Sequence, residues 1–330
     1  MERGAAGVLC QRRNFNPRVA VKALSVVTLS RLLAVALCLG TTTACAAGPP
    51  PVDEENRTPP PTAAAVEVAE TAMAAEPARA EFWLRDDPVQ GGIAIGRAPT
   101  DAVAITFNGN IISVDREGFF LIGFDRDAEN SASLVATLKN GKTVERYVPV
   151  KPGNWRIENV DASPTGGAGT TAEFQSRRGP ELARINAARA SKADSDGWRQ
   201  EFIRPVAGRI SGLFGAQRIY RGTPGSYHSG MDIAATSGTP FVAPADGVVV
   251  LAAAKEFTLE GHLLMIDHGM GLNSAFLHCS ELLVKEGDRV KQGQIIGKIG
   301  MTGRASGPHL HWGMKWNNAR IDPKLLIPAG

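Results

Sequence analysis

Disulfide bonds cannot hold this chain together. It has four cysteines among 330 residues, and two of them, Cys10 and Cys38, fall in a basic and apolar N-terminal stretch. Cys45 and Cys279 alone make no disulfide framework, so stability must come from a hydrophobic core and from any metal the chain binds. Long apolar runs are also missing: no internal segment approaches the roughly 20 residues that a membrane-spanning helix needs. Charge of one sign is scarce, because the formal net charge is only +3. That value, with no basic stripe interleaved by aromatics, excludes nucleic acid as a partner and favours at most a weak attraction to anionic envelope polymers. The glycines between Gly300 and Gly307 are not followed by Gly-Lys-Ser/Thr, which excludes a phosphate cradle. Histidine is scarce too, but its six copies all lie between His228 and His311.

The N-terminus has the pattern of an export signal. Arg12, Arg13, Arg18, Lys22 and Arg31 precede the short apolar stretch Leu32 to Leu39, followed by Gly40 and small residues. Residues 1–46 are therefore expected to be a signal peptide or a lipoprotein leader. Ala44-Cys45-Ala46 places small residues at alternate positions, as signal peptidase I prefers. Thr42-Thr43-Ala44-Cys45 is a poor lipobox, with Thr42 where leucine is usual. The first ending is favoured and gives an exported protein of the periplasm or cell envelope. The second would acylate Cys45 and tie the protein to a membrane.

Residues 47–80 are rich in Pro, Ala and Glu and read as a disordered tether. Residues 81–159 change to short alternating segments. Val103 to Phe107 is followed by Asn108-Gly109, a hairpin turn signal, and then by Ile111 to Val114. Gly118 to Gly123, Ser133 to Leu138 and Thr143 to Val148 add further strands, with Asn140-Gly141 as a second turn. The expectation is a small antiparallel β domain without clustered ligands, a positioning or interaction module able to meet an envelope protein partner. Residues 160–200 form a linker with a short helix, Glu181 to Ala190, starting after Pro180. From residue 201 to 330 strands and Gly/Pro turns return, giving a C-terminal antiparallel β domain with a groove. The chain as a whole is expected to be mainly β.

In this last region the histidines cluster with chemistry in mind. His309 and His311 sit two apart, so in a strand they share a face while Leu310 turns into the core. His228 and Asp232 flank a glycine-containing turn and can reach a common point, and His278 ends a strand that starts at Asn273. Histidine and aspartate suit a divalent metal, and a zinc hydrolase keeps three protein ligands and one open position. Five converging groups exceed what a closed site needs, so three ligands and two catalytic imidazoles are expected.

These residues and their neighbours form an ordered motif set. It runs His228-x-x-x-Asp232, Gly238-Thr239-Pro240, Asp246-Gly247-Val248, Asp267-His268-Gly269-x-Gly271, His278, Gly293-Gln294-x-Ile296-Gly297 and Gly303-x-x-Ser306-Gly307-Pro308-His309-Leu310-His311. The set resembles the M23 peptidases, the LytM or lysostaphin-type endopeptidases, over about residues 202–323. Trp312-Gly313 and Arg320-Ile321-Asp322-Pro323 resemble the Gram-negative branch. The resemblance implies a zinc-dependent endopeptidase that cuts peptide cross-links of peptidoglycan, with D-Ala to meso-diaminopimelate the favoured bond. It implies one Zn2+ on His228, Asp232 and His311, with His278 and His309 as the catalytic pair. His309 is then the general base and His278 steadies the oxyanion or the water, two roles that the sequence allows to be exchanged.

Two positions depart from the family pattern: Phe276 stands where tyrosine is common, and Cys279 follows the strand histidine where leucine is usual. Cys279 and His278 face opposite ways in a strand and make no thiol nucleophile pair, so Cys279 is read as a small buried residue. His268 is read as structural, and His262 as structural or as a groove-lining residue. Two rival readings accompany the enzyme. One is a non-enzymatic LytM-type activator of a cell-wall amidase. In the other, the 81–159 domain covers the groove and keeps the enzyme latent.

Overall fold

The computed structural model describes residues 78–163 and 171–328, so the readings of the leader, of Cys45 and of most of the tether lie outside the described residues. The upstream region supplies β1 (Trp83–Leu84), β2 (Ile93–Arg97), β3 (Ala102–Phe107), β4 (Asn110–Ile112), β5 (Phe119–Gly123), β6 (Ser131–Leu138), β7 (Thr143–Pro149) and β8 (Ile157–Val160). β1 to β7 form an antiparallel three-stranded sheet in the order β1-β2-β5 and an antiparallel four-stranded sheet in the order β4-β3-β6-β7. Asn108 and Gly109 both have positive φ, 47° and 77°, which a two-residue hairpin requires. Phe107 and Asn110 are accordingly paired across it. At the second turn only Gly141 has positive φ, at 79°, and the connection is longer because Leu138 already bonds to Lys142.

The helix α1 (Ala172–Ala190) begins well before Pro180, which lies inside it. The sequence places the start after Pro180, because a proline inside a helix removes a backbone bond and clashes with the preceding turn. Three features outweigh that cost. The Thr171 hydroxyl caps the helix by accepting from the Phe174 amide at 3.1 Å. Arg178 holds Glu260 through two bonds of 2.6 and 2.8 Å, with both side chains largely buried. Ile185 and Ala188 pack onto Leu251, Ala253, Leu263 and Met265. The helix thus lies on the C-terminal sheet.

That region comprises β9 (Arg209–Gly212), β10 (Gln217–Tyr220), β11 (Thr223–Pro224), β12 (Met231–Ala234), β13 (Pro240–Val242), β14 (Gly247–Ala252) and β15 (His262–Asp267). It continues with β16 (Leu272–Leu282), β17 (Arg289–Val290), β18 (Ile295–Ile299), β19 (His309–Trp316) and β20 (Ala319–Ile321). Ten of these strands make one antiparallel sheet whose main path is β17-β14-β15-β16-β19-β12-β9. The whole is mainly β, as the alternating segments predict. Among the named strands of the described residues one pairing is parallel: β8 lies against β10 with Gln217 opposite Ile157 and Tyr220 opposite Val160. Besides the cluster under α1, one core cluster runs from Phe82, Phe107 and Phe120 through to Phe276, Trp312 and Trp316, and Phe107 meets Trp316 edge-on at 5.7 Å.

Candidate metal and catalytic site

The period-2 pattern of β19 sets the site. Leu310, Trp312 and Met314 are buried, while His309, His311, Gly313 and Lys315 occupy the opposite, half-buried face. Asp232 lies directly across from His311, and Ala234 across from His309. Asp232 is therefore inside a strand rather than at the far side of a turn. Four residues, Met-Asp-Ile-Ala, are too few to show a pattern, and β12 exists because β9 and β19 pair with it on both sides. His228 arrives from the preceding loop, fixed by its amide bond to the Ala216 carbonyl at 2.9 Å.

Three side chains meet at one point. His228 Nε2 is 3.1 Å from Asp232 Oδ1 and 3.2 Å from His311 Nδ1, and His311 Nδ1 is 2.8 Å from Asp232 Oδ1. Ligands about 2.0–2.1 Å from a tetrahedral zinc would stand roughly 3.3 Å apart. Two imidazoles and one carboxylate, already close to that spacing and with one side left open, fit a catalytic zinc. Close packing by the backbone makes this possible. A Cβ on Gly230 would stand 2.6 Å from His311 Nε2 and 2.6 Å from the Trp312 carbonyl.

His278 and His309 stand beside this trio. Their ring centroids are 4.9 Å apart, and His309 Nε2 is 3.8 Å from Asp232 Oδ1. His278 does not end its strand. β16 runs on to Leu282 through an irregularity in its pairing with β15, where Cys279 faces His262 but Phe276 already faces Leu264. His278 has φ 64° at this bulge, a left-handed conformation that turns its ring out of the regular alternation. Nothing in the local sequence marks such a bulge, which is why the strand reads as finished there.

Backbone carbonyls orient three of the imidazoles. His228 Nδ1 donates to Leu213 O at 3.0 Å, His278 Nδ1 to Thr302 O at 2.8 Å, and His309 Nδ1 to Gly307 O at 2.8 Å. A carbonyl only accepts, so each Nδ1 carries the proton; Nε2 of His278 and His309 then presents its lone pair, and Nε2 of His228 does so once it gives up the proton it shares with Asp232. Such partners fix ring orientation at metal sites. Leu213, Thr302 and Gly307 act through main-chain oxygens, which no side-chain motif signals.

Electrostatics favours the binding forms of two ligands. Burial would raise Asp232, but hydrogen bonds from His228 and His311 outweigh it and hold the carboxyl well below the usual carboxylate range. Burial lowers His311 and keeps it neutral. His228 is raised, since the hydrogen bond and charge of Asp232 overcome its burial, so metal competes with a proton at that ring.

His262 bonds to the Ala253 carbonyl at 3.0 Å and does not line the groove. Phe276 is buried against Phe241, with centroids 5.2 Å apart. Cys279 is wholly buried, and that burial pushes its thiol up to about 12. His268 is fully buried behind the site. Its Nδ1 donates to Asp246 O at 2.7 Å, its Nε2 accepts from Ser274 Oγ at 2.8 Å, and Ser274 Oγ accepts from Trp312 Nε1 at 3.1 Å. This chain ties β19 to its neighbours next to His311 and requires a neutral His268. Burial lowers His268 to about 4. The folded state then resists a proton that the unfolded chain accepts near pH 6.5, so its stabilisation is full above that pH and is lost as pH falls towards 4. The expected loss is about 3 kcal/mol. Urea midpoints measured between pH 7 and pH 4 should fall accordingly, and fall less steeply in His268→Asn.

The five residues lie in a groove of about 1260 Å³. Arg218 and Tyr220 of β10 form part of one wall, and Arg304 to Ser306 form part of the other. Among the described residues upstream of Arg209, only Arg156 and Glu158 line it.

Comparison with known proteins relates the region that carries these residues to a peptidase family. Residues 226–323 match the Peptidase family M23. Over 119 residues the chain is 39% identical to the peptidoglycan DD-endopeptidase ShyC of Vibrio cholerae, covering 36% of this chain and 27% of that protein. Over 105 residues it is 41% identical to the peptidoglycan DD-endopeptidase ShyA of the same organism, covering 32% of this chain and 24% of that one. The chain thus spans about a quarter of the length of these relatives. A crystal structure described as an M23 peptidase from Pseudomonas aeruginosa superposes with a TM-score of 0.58 at 29% identity, covering 74% of this chain and 97% of that one.

Proposed function

We propose that this chain, whose residues 226–323 match peptidase family M23, is a zinc-dependent endopeptidase hydrolysing peptide cross-links of peptidoglycan. The observation that carries this reading is the convergence of His228, Asp232 and His311 at 2.8–3.2 Å, with His278 and His309 alongside in an open groove. Zinc held by those three would polarise the scissile carbonyl and bring the pKa of water towards about 7.

The remaining roles belong to the chain's own groups. His309 presents a bare Nε2 towards the trio and takes the proton of the attacking water. Its Nδ1–H stays on Gly307 O, so the ring keeps its aim after protonation and can pass the proton to the leaving amine. His278 is lowered, by burial first, which makes it a poor proton acceptor. Its Nε2 accepts a hydrogen bond from the water and orients it. Stabilising an oxyanion would require a second proton on that ring, which burial disfavours, so the water-orienting role fits better than the oxyanion role. The groove leaves the peptide room to lie across both histidines. As a hydrolase of cell-wall peptide the protein would act outside the cytoplasm, in the periplasm or envelope.

Digestion of purified peptidoglycan by the zinc-loaded mature chain should release chelator-sensitive fragments with a freed peptide amine, which mass spectrometry identifies. A folded, zinc-containing chain that released none would favour the amidase-activator reading instead.

A further inference from the structure

Behind His311 a second cavity, about 120 Å³ in volume, joins the groove. Ser229, Glu260, Leu277, His311 and Arg320 line both spaces. Its volume is several times the roughly 10–15 Å³ that one water needs. It exists because Gly313 interrupts the face of β19 between His311 and Lys315, and because α1 roofs it with Ile185 and Arg189.

The lining is unusual for its unanswered positive charge. Asn273, Lys315 and Arg320 form a row across β16, β19 and β20, paired Asn273 with Lys315 and Lys315 with Arg320. Arg189 faces them from the helix. The nearby carboxylates are taken: Glu260 is gripped at both oxygens by Arg178, and Asp125 accepts from the Arg320 amide and the Tyr227 hydroxyl at 2.8 and 3.1 Å. Among the described residues neither Arg189 nor Lys315 forms an ion pair. Arg189 Nε and Asn273 Nδ2 are buried donors with no hydrogen-bond partner, and Asn273 is only 4% exposed. Burial and then the charge of Arg320 pull Arg189 below its ordinary value, and burial and then Arg189 do the same to Lys315. Arg189 also sits in the last turn of α1, where the helix dipole favours a cation. That accounts for one positive charge, and the Tyr227 ring, 5.2 Å from the Arg320 guanidinium, faces a second; Lys315 and the orphaned Asn273 amide are left unexplained. Unpaired buried donors and like charges are costly, and a bound anion offsets both.

We propose that this cavity binds a free carboxylate of the substrate peptide beside the scissile bond, held by Arg189, Lys315 and Arg320 with the Asn273 amide as neutral donor. The proposal rests on the endopeptidase reading and adds the substrate feature that the groove selects.

The test uses three labelled cross-linked peptides: one with its carboxylates free, one amidated at the side-chain carboxylate near the cross-link, and one amidated at the C-terminus. Each is titrated against the full zinc-loaded chain carrying His309→Ala, which removes cleavage. Amidation of one of the two carboxylates should weaken binding about 30-fold, in the range of a charge-assisted contact, and thereby identifies the source. Arg189→Met or Lys315→Met in that background should weaken binding of the free acid by a similar factor and leave the matching amide unchanged. Equal binding of all three peptides overturns the proposal. So does an equal effect of both substitutions on acid and amide. Cleavage is read separately, with His309 intact. If no peptide is cut while the discrimination persists, the endopeptidase reading fails and the carboxylate site stands.

Discussion

Replacing His311 with alanine should strip the site of zinc and lower kcat/KM at least about 10³-fold, because a nucleophilic water near neutral pH depends on the bound ion. The effect should exceed that of any surface change, since His311 closes the trio at 2.8 Å from Asp232 Oδ1 and 3.2 Å from His228 Nε2. Removing it leaves two donors on one side of the ion, too few to retain it against a chelator. Folding should survive, because the neighbours that anchor β19 are Leu310 and Trp312, both fully buried. Metal content by elemental analysis, turnover on peptidoglycan and a thermal melt together check the outcome. Full biological activity in the zinc-free variant would instead support the amidase-activator reading.

The second large effect is expected from a residue that ligates nothing. Gly212 is the β9 partner of Asp232, and a Cβ there would overlap Asp232 Oδ2 while standing 2.9 Å from Asp232 Cγ and 3.0 Å from His228 Cε1. Gly212→Ala should therefore displace the carboxylate and tilt the His228 ring, and about 100-fold in activity should be lost, the upper range seen when the groups that orient a metal ligand are disturbed. The backbone at residue 212 is not left-handed, so alanine brings no conformational strain. Stability should change by less than about 1 kcal/mol. A melt like that of the parent beside a large drop in zinc affinity is the expected pair of results. A normal zinc affinity would show that the β9 edge can yield.

Much of this was legible in the residues, and the reason differs from part to part. The His309-Leu310-His311 alternation carries its own geometry, since one buried leucine places two imidazoles on the same face. Asn108-Gly109 specifies a two-residue turn because both residues tolerate positive φ. The strands rich in Val, Ile and Phe could be located for the same local reason. What escaped depends on partners distant in the chain. β12 is too short to show a period and is made by the strands on either side. The bulge that aims His278 arises from its pairing with β15, and the first half of α1 persists across Pro180 because Glu260, some eighty residues away, receives Arg178. The carbonyls of Leu213, Thr302 and Gly307 belong to the backbone and have no residue signature.

The parallel pairing of β8 with β10, together with the meeting of Phe107 and Trp316, makes the peptidase region hard to isolate cleanly. A chain cut near residue 201 would keep His228, Asp232 and His311 yet lose the groove lining of Arg156 and Glu158, uncover an aromatic face and bare the edge of β10 to other strands. Slower turnover of such a fragment would reflect a damaged cleft or self-association, and faster turnover a widened one. Neither rate would reveal whether the upstream region restrains the intact protein, so a question about latency is better asked by crosslinking or loosening the seam between the two parts than by removing one of them.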